Sequence, residues 1–268
     1  MPDYTVFTDH VLARQDGHLL VVSLNRPDRL NAMGGGLQQD LTAVLETARD
    51  DRSVRAILLR GEGRAFCAGG DVKEFNERAQ GPQSPTRVYD TVRGSRIIDT
   101  MLSVPQPIIA AVQGYAMGLG STVALLCDVV IAADDATFSD SHVNIGIVAG
   151  DGGAVLWPLL LPLGAAKWYL LTGERMSGAE AARLGLILRS VPADQLLEEA
   201  TSLAQRLADG APLAVQGTKA TINRILRERI DLLLETGLVY EGATYMSEDH
   251  REAAAAFVAK RNPTFIGK

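Results

Sequence analysis

The sequence predicts an α/β core followed by a helical C-terminal part. Short apolar runs of strand length alternate with segments of helical spacing through the first half of the 268 residues. From Leu156 onward the pattern is almost wholly helical. Alternating strands and helices followed by helices alone imply an α/β core with appended helices. Two glycine-containing turns, 65–71 and 114–120, each follow an apolar run.

The individual elements follow from apolar periodicity and from the residues that stop each run. The predicted strands are Leu19–Leu24, Val54–Leu59, Ile108–Val112, Val129–Ala133 and the short Ala136-Thr137-Phe138. The predicted helices of this half are Leu37–Arg49, Val88–Leu102 and Ser121–Cys127. The polar stretch 77–87 predicts a mobile loop, and 142–153 predicts a structured loop with four glycines. Breaks in the helical half are predicted near Gly164, Gly173–Ser177, Pro192, Gly210–Pro212 and Pro263.

Composition restricts the function classes. The chain is 47% hydrophobic and 22% charged, which is typical of a soluble globular enzyme. A net charge of -6 argues against nucleic acid and anionic membranes as partners. Two cysteines give no disulfide framework, so a reducing compartment is expected. With neither a signal peptide nor a membrane-spanning apolar run, the expected location is the cytoplasm.

The two glycine turns suggest a shared chemical task. The first reads Ala65-Phe66-Cys67-Ala68-Gly69-Gly70-Asp71, and the second reads Gly114-Tyr115-Ala116-Met117-Gly118-Leu119-Gly120. Glycine lets the backbone approach a ligand closely and leaves main-chain N–H groups unpaired. One N–H group from each turn could therefore hold a single developing oxyanion.

Several motifs occur together in a familiar order. They are Leu24-Asn25-Arg26-Pro27 with Leu30-Asn31-Ala32, the two glycine turns, Leu171-Thr172-Gly173 with Ala179-Glu180-Ala181 and Gly185-Leu186, and the tail motifs Ser247-Glu248-Asp249, Glu252-Ala253 and 260–265. With these motifs the chain resembles the crotonase, or enoyl-CoA hydratase/isomerase, superfamily. The resemblance covers nearly the whole chain.

The resemblance implies a spiral of stacked ββα turns over residues 1–195 and a C-terminal helical trimerisation region over 196–268. It implies a homotrimer or a dimer of trimers. The substrate would be an acyl-CoA thioester, with no permanently bound cofactor and no metal. The N–H groups of Gly70 and Leu119 would hold the thioester carbonyl while an enolate forms. The enzyme would then catalyse hydration, dehydration or a double-bond shift.

The resemblance also implies the residues that contact coenzyme A. They are Arg26, Ala68, Gly70, Asp71, Val72, Lys73, Leu119, Phe265 and Lys268. Arg26 would reach a phosphate, the residues of the first turn would contribute backbone contacts, and the two tail residues would meet the adenine of a neighbouring subunit's ligand.

The chain departs from the family pattern at the two glutamates that handle water and proton in hydratases. Thr122 stands at the first position and His142 at the second. A threonine hydroxyl is not a base near neutral pH. Thr122 is therefore expected either to hydrogen-bond a water molecule or, with slight preference, to cap its helix.

His142 is the best replacement for the missing carboxylates, because its ordinary pKa suits proton transfer near neutral pH. If the glycine-rich loop folds back, Asp151 could orient or charge-stabilise His142. A similar His and Asp, with a later Glu, serve a branch of the superfamily that hydrolyses carbon–carbon bonds in β-diketones, and Glu241 is the candidate for that Glu. Asp140 and Asn144 flank the site and are expected to be mainly structural.

Two other function classes stay open. A strand followed by Gly118-X-Gly120 and a helix suggests a dinucleotide-binding oxidoreductase, but Val123 stands where the third glycine is required. The loss of both glutamates also permits a non-catalytic member that binds acyl-CoA or serves as an assembly subunit. His142 and Asp151 argue against this second alternative.

Overall fold

The computed structural model of the chain describes residues 4, 9–71, 74, 77 and 96–268. Most of its strands form one six-stranded sheet, in the order β1-β2-β3-β4-β6-β9. These strands are β1 Val11–Asp16, β2 Leu19–Leu24, β3 Ala56–Gly61, β4 Ile108–Val112, β6 Val129–Ala133 and β9 Arg189–Val191. A three-stranded sheet has the order β5-β7-β8, with β5 Tyr115–Met117, β7 Thr137–Ser139 and β8 Met176–Ser177.

The large sheet is parallel except at β1, which pairs antiparallel with β2. Every residue of β4 is buried, as is nearly every residue of β3. Parallel strands covered on both faces are typically continuous apolar runs, and both strands have that composition. These two strands therefore form the centre of the core, and the two glycine turns follow their carboxyl ends.

A ββα repeat underlies this arrangement. After β2, β3 and β4 of the large sheet, the chain adds a short segment that pairs in parallel with the next repeat. Met33 pairs with Gly70, Cys67 pairs with Ala116, and β5 pairs with β7. A helix then leads to the next strand. The expected spiral of ββα turns with C-terminal helices is confirmed.

Nine α-helices are present in the described part of the chain. They are α1 Leu37–Asp50, α2 Arg96–Ser103, α3 Leu119–Leu125, α4 Gly153–Leu160, α5 Leu163–Thr172, α6 Gly178–Leu184, α7 Leu196–Ala208, α8 Pro212–Thr244 and α9 Glu248–Val258. Helix α7 packs on β2, β3, β4 and β6, so it covers the large sheet. Helix α8 packs on α4, and α9 packs on the short 3-10 turn His142–Ile145.

Most predicted elements are present, some with shifted ends, and a few predictions were wrong. Strand β1 was not predicted, although its burial alternates as expected of an edge strand. Strands β8 and β9 interrupt the half predicted to be helical. The break predicted near Gly164 is present at Leu161 and Pro162, between α4 and α5. The beginning of the predicted helix Val88–Leu102 and most of the predicted loop 77–87 lie outside the described residues.

The boundary expected between residues 195 and 196 stays a prediction. In the described ranges, no helix combines the length and the apolar character that crossing a membrane requires.

Candidate active site

The first glycine turn is fixed by hydrogen bonds from outside it. The amide of Asn31 donates from Nδ2 to the carbonyl oxygen of Ala65 at 2.8 Å. Gly69 has a φ of +89°, a conformation that favours glycine. These features set the direction of the backbone immediately before Gly70.

The second turn packs directly on the first. A Cβ on Gly120 would lie 2.5 Å from the carbonyl oxygen of Cys67, and a Cβ on Gly69 would lie 2.6 Å from the carbonyl oxygen of Met117. Gly118 has a φ of +49° and stands at the N-cap of α3. Glycine is therefore required at positions 69 and 120, because the two backbones approach too closely there for a side chain.

The two predicted oxyanion donors lie in these adjoining turns. Within the described ranges, neither the N–H of Gly70 nor that of Leu119 donates a hydrogen bond to another residue. By contrast, Gly118 N–H donates to Ser139 O at 2.9 Å, and Met117 N–H donates to Cys67 O at 3.0 Å. Unpaired donors on a backbone held by its neighbours are what an oxyanion hole requires.

A buried cluster of ionisable side chains adjoins the second turn. His142 Nδ1 lies 2.5 Å from Asp140 Oδ1, and His142 Nε2 lies 3.3 Å from Asp151 Oδ2. Thr122 Oγ1 lies 3.5 Å from Asp151 Oδ1, at the limit for a hydrogen bond. Asp140 is fully buried, and His142 is nearly so. The imidazole is thus placed between two carboxylates.

The charges of the cluster determine the protonation of the imidazole. Burial alone would lower the pKa of His142, but the charges of Asp151 and Asp140 oppose this, as do hydrogen bonds to both. The net result is a pKa well above the ordinary value of 6.5. His142 is therefore mainly an imidazolium near neutral pH in the unliganded protein.

Glu241 joins the cluster from α8. This helix approaches the glycine-rich loop closely, since a Cβ on Gly150 would lie 2.3 Å from Gly237 O and 2.8 Å from Glu241 Cβ. Burial and the charge of Asp151 raise the pKa of Glu241 to about 8, although the charge of His142 and a hydrogen bond with Tyr245 oppose the shift. Glu241 therefore carries a proton at neutral pH.

Asp140, His142 and Asp151 also have the ligand types of a metal site. Each offers one ligand atom, and these atoms lie within 4.8 Å of one another. Both ring nitrogens, however, face carboxylate oxygens at hydrogen-bond distance. A protonated imidazole satisfies this arrangement without a cation, whereas a metal ligand needs a bare ring nitrogen. The absence of a metal from the reaction stays a prediction.

One expectation about an individual side chain was wrong. Thr122 does not cap its helix, because α3 begins at Leu119 and Gly118 is the N-cap. The mainly structural role expected of Asp140 stays a prediction, and its Oδ1 makes the shorter of the two carboxylate contacts to His142. The Asp-Ser-His spacing directly after β7 was the available signal, because a 3-10 turn there brings positions 140 and 142 together.

The residues expected to bind coenzyme A are less closely grouped. The Arg26 guanidinium donates to the carbonyl oxygens of Ala32 and Gly34, and it lies 3.4 Å from Asp71 Oδ2. It is therefore engaged by its own chain beside the first turn, and its contact with a phosphate stays a prediction. Ala68 N–H donates to Leu30 O at 3.0 Å.

The other candidates lie in the tail or outside the described residues. Phe265 is half exposed, and Lys268 O accepts the N–H of Glu248 at the start of α9. In the part of the chain that the structure describes, neither makes a hydrogen bond to the cluster. Val72 and Lys73 lie outside the described residues.

Comparison with known proteins relates the chain to enoyl-CoA hydratases and isomerases. The family model for enoyl-CoA hydratase/isomerase matches residues 14–268. The chain is 34% identical to a "probable enoyl-CoA hydratase" of Mycobacterium tuberculosis over 95% of this chain and 97% of that protein. It is 32% identical to the 1,2-epoxyphenylacetyl-CoA isomerase of Escherichia coli K12, over 97% of this chain and 99% of that protein.

Solved structures agree with this match. The fold superposes on an enoyl-CoA hydratase/isomerase from Mycobacterium paratuberculosis with a TM-score of 0.86 and 35% identity. The alignment covers 93% of this chain and 99% of that one.

Proposed function

Since this chain belongs to the enoyl-CoA hydratase/isomerase family, we propose that it acts on an acyl-CoA thioester through an enolate, with His142, Asp151 and Glu241 replacing the usual pair of glutamates. The observation that carries the proposal is the position of the buried ionisable cluster beside the turn that offers Leu119 N–H. The N–H groups of Gly70 and Leu119 bind the thioester oxygen as negative charge develops on it. One such donor contributes about a hundred- to a thousand-fold in rate.

The proposed reaction is the addition of water to a conjugated double bond, or its reverse. The catalytic form is the deprotonated minority of the enzyme, in which His142 has released its Nε2 proton to solvent and keeps the proton on Nδ1 toward Asp140; Nε2 then accepts a proton from the attacking water. The hydroxide adds to the β carbon, and the electron pair of the double bond moves to the thioester oxygen. Glu241, protonated at neutral pH, is the candidate acid that returns a proton to the α carbon. Asp151 holds the imidazolium formed in the first step.

The same cluster supports a second candidate, the hydrolysis of a carbon–carbon bond in a β-diketone. The contact between His142 and Asp151, with Glu241 beside them, favours this alternative. Hydroxide from the activated water would add to one carbonyl carbon. The bond to the central carbon would then break, and the released enolate would take up a proton.

A substrate screen separates these candidates. Crotonyl-CoA-type thioesters and cyclic β-diketones are offered to the wild type and to His142→Ala. We expect turnover of a thioester by the wild type and little by the variant. Thioester binding without turnover would favour a non-catalytic acyl-CoA-binding protein, and no thioester binding at all would reject the main proposal. Binding of a nicotinamide cofactor would instead support the oxidoreductase alternative.

We further propose that the protein assembles as a homotrimer or as a dimer of trimers in the cytoplasm. The support is a set of large apolar side chains exposed on α8, whose burial would stabilise an assembly. They are Leu213, Ile222, Ile225, Leu232, Leu233, Val239 and Tyr240. Size-exclusion chromatography with light scattering tests the assembly, and a monomeric mass at micromolar concentration would reject it.

A further inference from the structure

The position of Asp140 differs from that of an ordinary structural carboxylate. It follows β7 directly and is fully buried, and its Oδ1 lies 2.5 Å from Nδ1 of His142. The corresponding contact of Asp151 with Nε2 is longer, at 3.3 Å. The contact with Asp140 is thus the shorter and the more deeply buried of the two.

The surroundings of Asp140 leave its carboxylate little freedom. A Cβ on Gly153 would lie 1.7 Å from Asp140 Oδ2, so glycine at the first position of α4 makes room for the carboxylate. In the described part of the chain, Oδ2 has no hydrogen-bond partner. A purely structural buried carboxylate would be expected to satisfy both oxygens. Here the one strong hydrogen bond goes to the imidazole.

We propose that Asp140 is a positioning residue, which accepts the Nδ1–H of His142 and so leaves Nε2 as the nitrogen that exchanges a proton with substrate or water. This inference rests on the proposed function for its catalytic meaning. A histidine needs its second nitrogen fixed by a hydrogen bond if the first is to act as a base in one defined tautomer.

The ionisable groups around the imidazole lie on or beside three elements. Asp140 follows β7, Asp151 precedes α4, and Glu241 projects from α8. The second glycine turn contributes only the backbone of Gly118 beside the ring. Removing the Asp140 charge therefore leaves Asp151, which contacts Nε2, as the carboxylate in direct contact with the ring.

Nuclear magnetic resonance tests this directly, without any substrate. The chain has four histidines, so ¹⁵N-labelled histidine gives few signals, and His142→Ala identifies the relevant pair. We expect Asp140→Asn to increase the acid dissociation constant of His142 at least tenfold. We expect Asp140→Ala to move the proton of the neutral ring from Nδ1 to Nε2. Unchanged dissociation constant and tautomer in Asp140→Asn would overturn the proposal.

Asp128→Asn is the matched control. Asp128 is also a carboxylate tied to the fold, through Ile108 N–H at 2.7 Å and Lys219 Nζ at 2.7 Å. This control should lower stability without moving the His142 titration. If Asp128→Asn moved it equally, the effect would be a general loss of packing and the proposal would fail.

Kinetics then separate this inference from the proposed function. With an active thioester substrate, Asp140→Asn should lower kcat, leave KM nearly unchanged and shift the pH limb of His142 to lower pH. An unshifted limb would overturn the positioning role even if activity fell. A wild type that is inactive on every thioester would reject the proposed function. The NMR titration would still show whether Asp140 fixes the Nδ1 proton of His142.

Discussion

A Cβ on Gly118 would lie 3.2 Å from Cε1 of His142, so the residue that precedes the donor Leu119 also makes space for the imidazole. One glycine thus connects the backbone of the predicted oxyanion hole with the acid–base cluster. A side chain there would disturb both at once.

Replacing this glycine should therefore be far more damaging than its size suggests. Gly118→Ala combines strain at a φ of +49° with crowding of His142. We expect kcat/KM to fall at least a hundred-fold, which corresponds to one lost oxyanion donor. Gly217→Ala, on an exposed part of α8 with nothing within 4 Å, should leave activity unchanged and stabilise the helix by about 0.5–1 kcal/mol. Equal activity of the two variants would contradict the conclusion that Gly118 supports both the Leu119 donor and the His142 imidazole.

Loss of the imidazole should remove most of the acid–base contribution. We expect His142→Ala to lower kcat by roughly 10²–10⁴-fold, the usual effect of a positioned proton-transfer group. The measurement is steady-state turnover of the best thioester. His18→Ala is the control, since His18 Nδ1 contacts Ser53 O outside the site.

A double variant tests whether His142 and Asp151 act as a unit. Residues that act together lose activity non-additively. His142→Ala combined with Asp151→Asn should be no slower than His142→Ala alone. Independent, multiplicative losses would show that the two side chains serve separate steps.

The pKa of Glu241 predicts an unusual dependence of stability on pH. In the folded state it is about 8, above its ordinary value of 4.5, so the folded protein holds a proton that the unfolded chain releases. The free energy of unfolding should therefore decrease as the pH rises from about 4.5 to 8. His142, whose pKa is also raised, should lower the free energy of unfolding further as the pH rises above 6.5. Each group contributes at most about 1.4 kcal/mol per pH unit.

Glu241→Gln isolates the first contribution, because the amide keeps the shape and cannot ionise. Between pH 5 and 6.5, the free energy of unfolding measured in urea should decline with rising pH for the wild type and stay almost constant for the variant. Glu228→Gln, an exposed position on the same helix, should keep the wild-type slope. If the free energy of unfolding depended on pH in the same way for the wild type and Glu241→Gln, the prediction that folded Glu241 is protonated would be rejected.

Removal of metal ions should leave the reaction intact. The cluster of Asp140, His142 and Asp151 uses both ring nitrogens for carboxylate contacts, so turnover needs no divalent ion. Dialysis against EDTA should change kcat by less than twofold, and added Mg²⁺ or Zn²⁺ should not raise it. Loss of activity that Zn²⁺ restores would identify the cluster as a metal site.

The centre of the fold could be predicted from the sequence because local pattern and burial agree there. Strands such as β4 are continuous apolar runs, and α1 has regular apolar spacing. The elements that were missed are short or lie at an edge. β1 carries charged residues on its exposed face, and β8 and β9 have only a few residues each, so neither pattern is distinct.

The candidate site was only partly predictable, because its geometry depends on residues far apart in sequence. The identities of His142 and Asp151 followed from their place in the motif pattern. The contact of Asp140 with His142 could not be predicted in this way, because the turn after β7 decides which carboxylate meets Nδ1. The position of Glu241 depends on Gly150 and Gly237, which let α8 approach the loop.

The two predicted oxyanion donors belong to the main chain, and this has an evolutionary consequence. An amide N–H persists through every substitution except proline, provided that the glycines beside it keep the turn. Positions 122, 142, 151 and 241, by contrast, contribute side chains that single mutations exchange freely. The part of the site that would stabilise charge is therefore inherited with the fold, while the part that moves protons remains open to selection. A scaffold divided in this way can change its reaction without rebuilding its pocket.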